Sequence, residues 1–140
     1  MGLECCMDYK VYYEMWQMEC CGEPFSVGDT VKWLVQKAEF IDMPIDVSDI
    51  PYCYQAHSSE WKKLFVLEGK VKRIEVLYQT YKRSDTDSRW LDSVSGELKE
   101  ADNACGNEGG WDGLTKASGY VVVLQETTVR RAKKSEVTFC

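Results

Sequence analysis

Residues 16–33, WQMECCGEPFSVGDTVKW, contain the least ordinary residue choices of the chain and decide how the flanking segments are interpreted. They join two strand-like runs through an adjacent cysteine pair and the turn-forming residues Gly22, Glu23 and Pro24. Because glycine relaxes the backbone and proline cannot donate to a strand ladder, the chain must turn before Phe25. No catalytic signature inside or outside this stretch indicates a reaction.

The segment FSVGDTV at residues 25–31 resembles the F-x-x-G-D-x-V segment of SH3-like and related small barrels. In those barrels a Gly-Asp turn precedes a long strand, so the resemblance implies a strand starting at Thr30. Val31, Trp33 and Val35 alternate with Lys32, Leu34 and Gln36, which also indicates a strand. We therefore expect Trp33 to belong to the core.

Other segments show the same strand-like character. Residues 9–18 alternate, residues 69–82 form the longest alternating run, and residues 119–129 are a nearly continuous β-branched run. Residues 52–56 add a short edge strand. The sequence thus predicts an all-β fold of about five strands, a single twisted sheet or a partly open SH3-like or OB-like barrel, with long acidic loops and little helix.

The 140 residues are enough for one hydrophobic core and show no internal repeat or linker, so we predict a single domain over residues 1–140. Residues 1–8 are expected to be an N-terminal tail. Residues 84–118 are rich in Asp, Ser, Asn and Gly and are predicted to form a long loop or excursion.

Charge is unevenly distributed along a chain whose net charge is −6. Residues 62–83 hold seven basic and two acidic side chains, whereas residues 84–113 hold two basic and eight acidic ones. The basic strand either engages nucleic acid phosphates or is a solvated surface balanced by the acidic loops. The negative net charge and the absence of an RNA-binding aromatic pattern favour a protein or small-molecule partner over nucleic acid.

The seven cysteines are an odd number and accompany no export signal, so reduced thiols and a cytoplasmic location are expected. No apolar run has the length of a membrane span, and we expect no membrane association. Thiolate and imidazole are zinc ligands, but the chain has no C-x2-C pair, which disfavours zinc as a cofactor. The candidate metal ligands are Cys20, Cys21, Cys53 and His57.

Two classes of function remain open from these residues. The first is a non-enzymatic small β-barrel that acts as a binding or interaction module, because no complete catalytic set is present. The alternative is a thiol- or zinc-dependent site that combines the candidate metal ligands, with nucleic-acid binding through residues 62–83 as a second alternative. The candidate binding residues are Trp16, Glu19, Cys20, Cys21 and His57.

Taken together, the segments at residues 12–33, 69–81 and 119–127 resemble a family of bacterial proteins that carry a domain of unknown function. The most specific part is the pattern WxMECCGxPFxVGDxVxW, which begins at Trp16 and ends at Trp33. The resemblance implies a bacterial cytoplasmic protein and implies no activity.

Overall fold

The computed structural model describes residues 7–20, 22–40, 43–56, 60–87, 89–108 and 110–137. Short 3-10 turns occupy Trp61–Lys63 and Lys134–Glu136. The other elements are, in chain order, β1 (Tyr9–Glu14), α1 (Met15–Cys20), β2 (Phe25–Ser26), β3 (Thr30–Lys37), β4 (Tyr52–Tyr54), β5 (Leu64–Arg83), β6 (Leu91–Ala101), β7 (Asn103–Ala104), β8 (Trp111–Asp112) and β9 (Thr115–Arg131).

Seven strands form one large mixed sheet in the order β6-β5-β3-β4-β1-β9-β8. The pairing of β1 with β4 is parallel, and the other pairings in this sheet are antiparallel. β2 and β7 make a separate two-stranded sheet. The prediction of a mainly β fold with little helix is confirmed.

The long strand β5 makes this sheet curl. One edge of β5 pairs with β9 over almost its whole length, while the other edge pairs first with β3 and then with β6. The curl brings β1 and β3 to either side of the short strand β4, which joins β1 through two residue pairs, Val11↔Tyr52 and Tyr12↔Cys53. The result is a strongly curled sheet and not a closed barrel.

The main core lies on the concave side of the sheet, where alternate residues of the strands meet. Val11 and Tyr13 come from β1, Trp33 and Val35 from β3, and β5 and β9 supply further buried aliphatic residues. Residues 43–50 cover part of the opposite face through a second cluster that contains Ile50. Both faces of the central strands are therefore apolar, as the uninterrupted β-branched run of β9 requires.

Two segments differ from the sequence-based expectation. The strand predicted over residues 9–18 ends at Glu14, and α1 follows it, because a helical turn buries both Met15 and Met18 against the end of the sheet. The segment 84–118, expected as a long loop or excursion, contains β6, β7 and β8. β6 is almost entirely exposed, so its sequence lacks the apolar alternation that signals a strand.

None of the helices in the described ranges is long and apolar enough to span a membrane.

Trp33 is 9% exposed and packs edge-on against both Tyr13 and Phe25, so the expected core position is confirmed. We predict that Trp33→Ala lowers the free energy of unfolding by about 3 to 5 kcal/mol, the usual range for deleting a large buried aromatic. Chemical denaturation measures this change. The matched control is Trp90→Ala, because Trp90 is 67% exposed and its removal leaves no cavity. Equal effects of the two substitutions would contradict the core assignment.

Candidate functional site

Among the residues that the structure describes, the sheet has a gap beside the first half of β3. β4 is three residues long and pairs with β3 only from Val35↔Tyr54 to Lys37↔Tyr52. One further bond, from the Gln55 N–H to the Leu34 carbonyl at 3.0 Å, extends this pairing. Residues 30–33 lie beyond that point, and within the described ranges no strand pairs with this side of them.

The directions of the backbone groups in β3 follow from the Gln55 bond. Because the Leu34 carbonyl accepts from Gln55, the backbone groups of Leu34 face away from β5. In an antiparallel ladder alternate residues point their N–H and C=O groups to the same side. The N–H and C=O groups of Lys32 therefore face the gap, while those of Val31 and Trp33 face β5.

Gln17 in α1 holds the chain directly after β4. Its side chain is fully buried, its Nε2 donates to the Tyr54 carbonyl at 3.1 Å, and its Oε1 accepts from the Ala56 N–H at 3.0 Å. Because the Gln55 N–H faces β3, the Tyr54 carbonyl and the Ala56 N–H face the opposite edge of this segment, toward β1 and α1. The Gln17 amide therefore continues the edge that β1 supplies and fixes the chain through Ala56 beside the gap.

The two hydrogen bonds of the Gln17 side chain are called the Gln17 clamp, and the end of α1 is packed closely beside them. The Gly22 N–H donates to the Gln17 carbonyl at 2.8 Å, so the chain is held against the last turn of the helix. A Cβ atom at Gly22 would overlap the Tyr13 hydroxyl and would lie 2.7 Å from the Met18 Cα. Glycine is therefore required at this position because no side chain fits between Tyr13 and the helix.

Two adjoining cavities occupy the gap, and together they are called the β3 cleft. Their volumes are about 520 and 400 Å³, and they share Lys32, Trp33 and Tyr54. The larger cavity is also lined by Tyr13, Glu23, Pro24, Phe25, Asp29, Thr30 and Val31, and the smaller by Leu34, Ala56, Val66 and Glu136.

Aromatic rings form the floor of the β3 cleft. Tyr13 and Tyr54 stack with centroids 3.9 Å apart, and Trp33 stands edge-on to them at 5.3 and 5.8 Å. Burial raises the pKa of Tyr13 far above its usual range, and its hydrogen bond to Tyr54 adds to the shift. The Tyr13 hydroxyl is thus protonated at neutral pH, and the floor is uncharged.

The Gly-Asp turn fixes one end of the β3 cleft. Gly28 has a φ of +98°, a conformation that favours glycine. The Gly28 N–H donates to the Val71 carbonyl and the Val71 N–H donates to the Asp29 carbonyl, each at 2.8 Å. The Asp29 carboxylate accepts from the Ser26 N–H at 2.8 Å. The turn that precedes β3 is therefore anchored on β5.

The predicted site residues that the structure describes do not line the β3 cleft. Trp16 is 47% exposed on α1, where its Nε1 donates to a Glu14 oxygen at 2.9 Å. Glu19 and Cys20 are also exposed on α1. Cys21 and His57 lie outside the described residues, so their placement beside Cys20 stays a prediction.

Cys53 is unsuited to nucleophilic chemistry at neutral pH. It is half-buried in β4, and burial followed by the nearby charge of Glu14 raises the pKa of its thiol to about 11. The thiolate, which is the reactive and metal-binding form, is therefore scarce. In the parts of the chain that the structure describes, no three His, Cys, Asp or Glu side chains are grouped closely enough to hold a metal ion.

The basic strand at residues 62–83 is not a single cationic surface. Lys72 lies 3.1 Å from Asp8, and Arg73 lies 3.4 Å from Glu75. These pairs neutralise part of the charge in the middle of β5, which weighs against a continuous track for a phosphate backbone.

Comparison with known proteins supplies a family. Residues 7–126 match the model of a family of unknown function, DUF6578. The chain belongs to this family. The expected membership in a family with a domain of unknown function is therefore confirmed. No curated protein and no solved structure matches the chain.

The matched region of DUF6578 contains the whole β3 cleft apart from Glu136. The sequence suggested binding through Trp16, Glu19, Cys20, Cys21 and His57. It gave no indication of Gln17 or of the edge of β3 that no described strand pairs. Gln17 lies between two methionines of the core, and a buried polar side chain at such a position needs hydrogen-bond partners inside the protein. This requirement is the sequence feature that could have identified it. Its partners Tyr54 and Ala56 are distant in sequence, and nothing local identifies them.

We predict that Gln17→Ala destabilises the fold by about 1 to 3 kcal/mol, because it leaves the Tyr54 carbonyl and the Ala56 N–H without a partner. Denaturant unfolding measures the change. Glu19→Ala is the matched control on an exposed position of the same helix and should stay within about 0.5 kcal/mol of the unsubstituted protein. If both variants unfold at the same denaturant concentration, the two Gln17 hydrogen bonds contribute nothing to the stability of the fold.

Proposed function

We propose that the protein is a non-enzymatic binding module that accepts an extended peptide segment as an added strand beside β3. The observation that supports this most strongly is the direction of the Lys32 backbone groups, which face the β3 cleft and have no described partner. An exposed strand edge of this kind is a ready template for pairing with another chain. The added strand would continue the line of β4, antiparallel to β3.

The geometry restricts the ligand to a short segment. Residues 30–33 supply the free edge, and Thr30 and Lys32 are the two residues whose backbone groups point outward under the alternation of the ladder. Because each added backbone hydrogen bond contributes about 1 kcal/mol net, the bonds alone give weak binding. Most of the affinity must therefore come from side chains.

The floor and rim of the β3 cleft indicate which side chains fit. Ligand residues opposite Val31 and Trp33 would point toward the floor that Tyr13 and Tyr54 form, which suits an apolar or aromatic side chain. The rim of the larger cavity carries Glu23, Asp29 and Lys32. Because acidic side chains outnumber basic ones there, a basic residue next to the apolar one in the ligand is favoured. We therefore favour a peptide that combines an aromatic and a basic residue.

The other functions that the sequence suggested have less support. The set of candidate thiol or zinc ligands includes Cys53, and burial raises the pKa of its thiol to about 11, which disfavours the thiolate. Nucleic-acid binding would need a basic track, and the ion pairs of Lys72 and Arg73 interrupt it. On the resemblance to bacterial proteins and on the reduced state expected of seven cysteines, we place the binding module in a bacterial cytoplasm.

The test is a selection of linear peptides from a random display library on the immobilised protein, followed by affinity measurements on two variants. Lys32→Pro removes the N–H that faces the cleft and no bond of the ladder with β5. Lys32→Thr changes the side chain and keeps that N–H. We expect Lys32→Pro to weaken binding of the selected peptides about tenfold or more and Lys32→Thr to change it about twofold at most.

A second arm uses the peptide and leaves the protein unchanged. N-methylation of the ligand amide that pairs with β3 should abolish binding, whereas N-methylation of the next amide, which points away, should not. The proposal fails if neither methylated peptide loses affinity, if Lys32→Pro binds as well as Lys32→Thr, or if no peptide is enriched over a Lys32→Pro surface.

A further inference from the structure

A second cleft lies at the other end of β3 and shares no lining residue with the β3 cleft. The end of β3, the 3-10 turn at Trp61–Lys63, the start of β5 and the end of β9 surround it, and its volume is about 400 Å³. We call it the basic cleft, and it is lined by Gln36, Lys37, Glu39, Glu60, Lys62, Lys63, Phe65 and Arg131.

Cationic side chains predominate in the basic cleft although the chain as a whole carries a net charge of −6. Four basic residues face two acidic ones, and one of the four is neutralised, since Lys63 lies 2.8 Å from Glu60. Lys37, Lys62 and Arg131 make no salt bridge with any residue that the structure describes. With that pair set aside, Lys37, Lys62 and Arg131 outnumber Glu39, so the cleft carries an excess of two positive charges.

The contrast between Arg130 and Arg131 shows that this arrangement is specific to the cleft. Arg130 binds both carboxylate oxygens of Glu136, at 2.7 and 2.6 Å. Arg131, on the opposite face of β9, has no carboxylate partner among the described residues. The Arg131 guanidinium is exposed to solvent, so its charge is available to an anion from solution.

The Arg131 guanidinium is held in place by uncharged contacts. It lies over the Phe65 ring at 5.4 Å from the centroid, and one Nη donates to the Lys62 carbonyl at 3.3 Å. Phe65 and Arg131 are also register partners in the ladder between β5 and β9. These contacts hold the planar guanidinium group of Arg131 in position. Its remaining N–H donors suit bidentate binding of an oxyanion.

We propose that the basic cleft binds a small phosphate monoester. The Arg131 fork binds two phosphate oxygens, and Lys37 and Lys62 balance the doubly negative charge. A cavity of about 400 Å³ accommodates a metabolite-sized ligand. Glu39 and Glu60 border the cleft, and Asp8 and Glu75 pair with the cations farther along β5, so no positive track leads away from the site toward a longer polyanion.

The experiment titrates the full chain with adenosine monophosphate, with inorganic phosphate and with adenosine, and follows binding by calorimetry. We expect both phosphate-containing probes to bind and adenosine not to bind. The double variant Lys37→Gln/Lys62→Gln should bind both phosphate probes about tenfold more weakly. The matched control is Lys70→Gln/Lys82→Gln, which removes two exposed lysines of β5 outside the cleft and should leave the affinity unchanged.

Several results would overturn the proposal. The first is no binding of either phosphate probe. Another is an equal affinity of the two double variants for adenosine monophosphate. A single-stranded oligonucleotide that binds much more tightly than the mononucleotide and depends on Lys37 and Lys62 would assign the cleft to a nucleic-acid surface. Because Lys37→Gln/Lys62→Gln changes only exposed side chains, its melting temperature should match that of the control variant.

Discussion

The buried amide of Gln17 fixes the chain at the point where β4 ends, directly beside the β3 cleft. One side chain binds a carbonyl and an N–H two residues apart, at Tyr54 and Ala56, on the edge of that segment opposite β3. Burial makes these bonds obligatory, since an unpaired polar group inside the protein is costly. These contacts stabilise the junction of α1 and β4, next to the half of β3 that has no strand partner on this side among the described residues.

The two clefts at the ends of β3 differ in chemistry. The β3 cleft has an uncharged aromatic floor and outward-facing backbone groups, which suit an extended peptide. The basic cleft has two lysines, Lys37 and Lys62, beside the Arg131 guanidinium, which suits a small oxyanion.

The sequence predicted the features that depend on local patterns. The Gly28-Asp29 turn, the strand that follows it and the burial of Trp33 all follow from the backbone freedom of glycine and from the alternation of β3. The helix α1 was missed because Met15 and Met18 fit both a strand and a helical turn. The β3 cleft could not be predicted, since it depends on where β4 stops, and contacts between distant residues decide that point.

The most direct test of the central claim is hydrogen exchange at individual backbone amides of the free protein. We expect the Lys32 amide, which faces the β3 cleft, to exchange at close to the unprotected rate. The neighbouring amides of Val31 and Trp33, which donate to β5, should exchange only when the sheet opens. Equal protection of Lys32 and Trp33 would show that this edge of β3 is already paired, and the account of the cleft would be wrong.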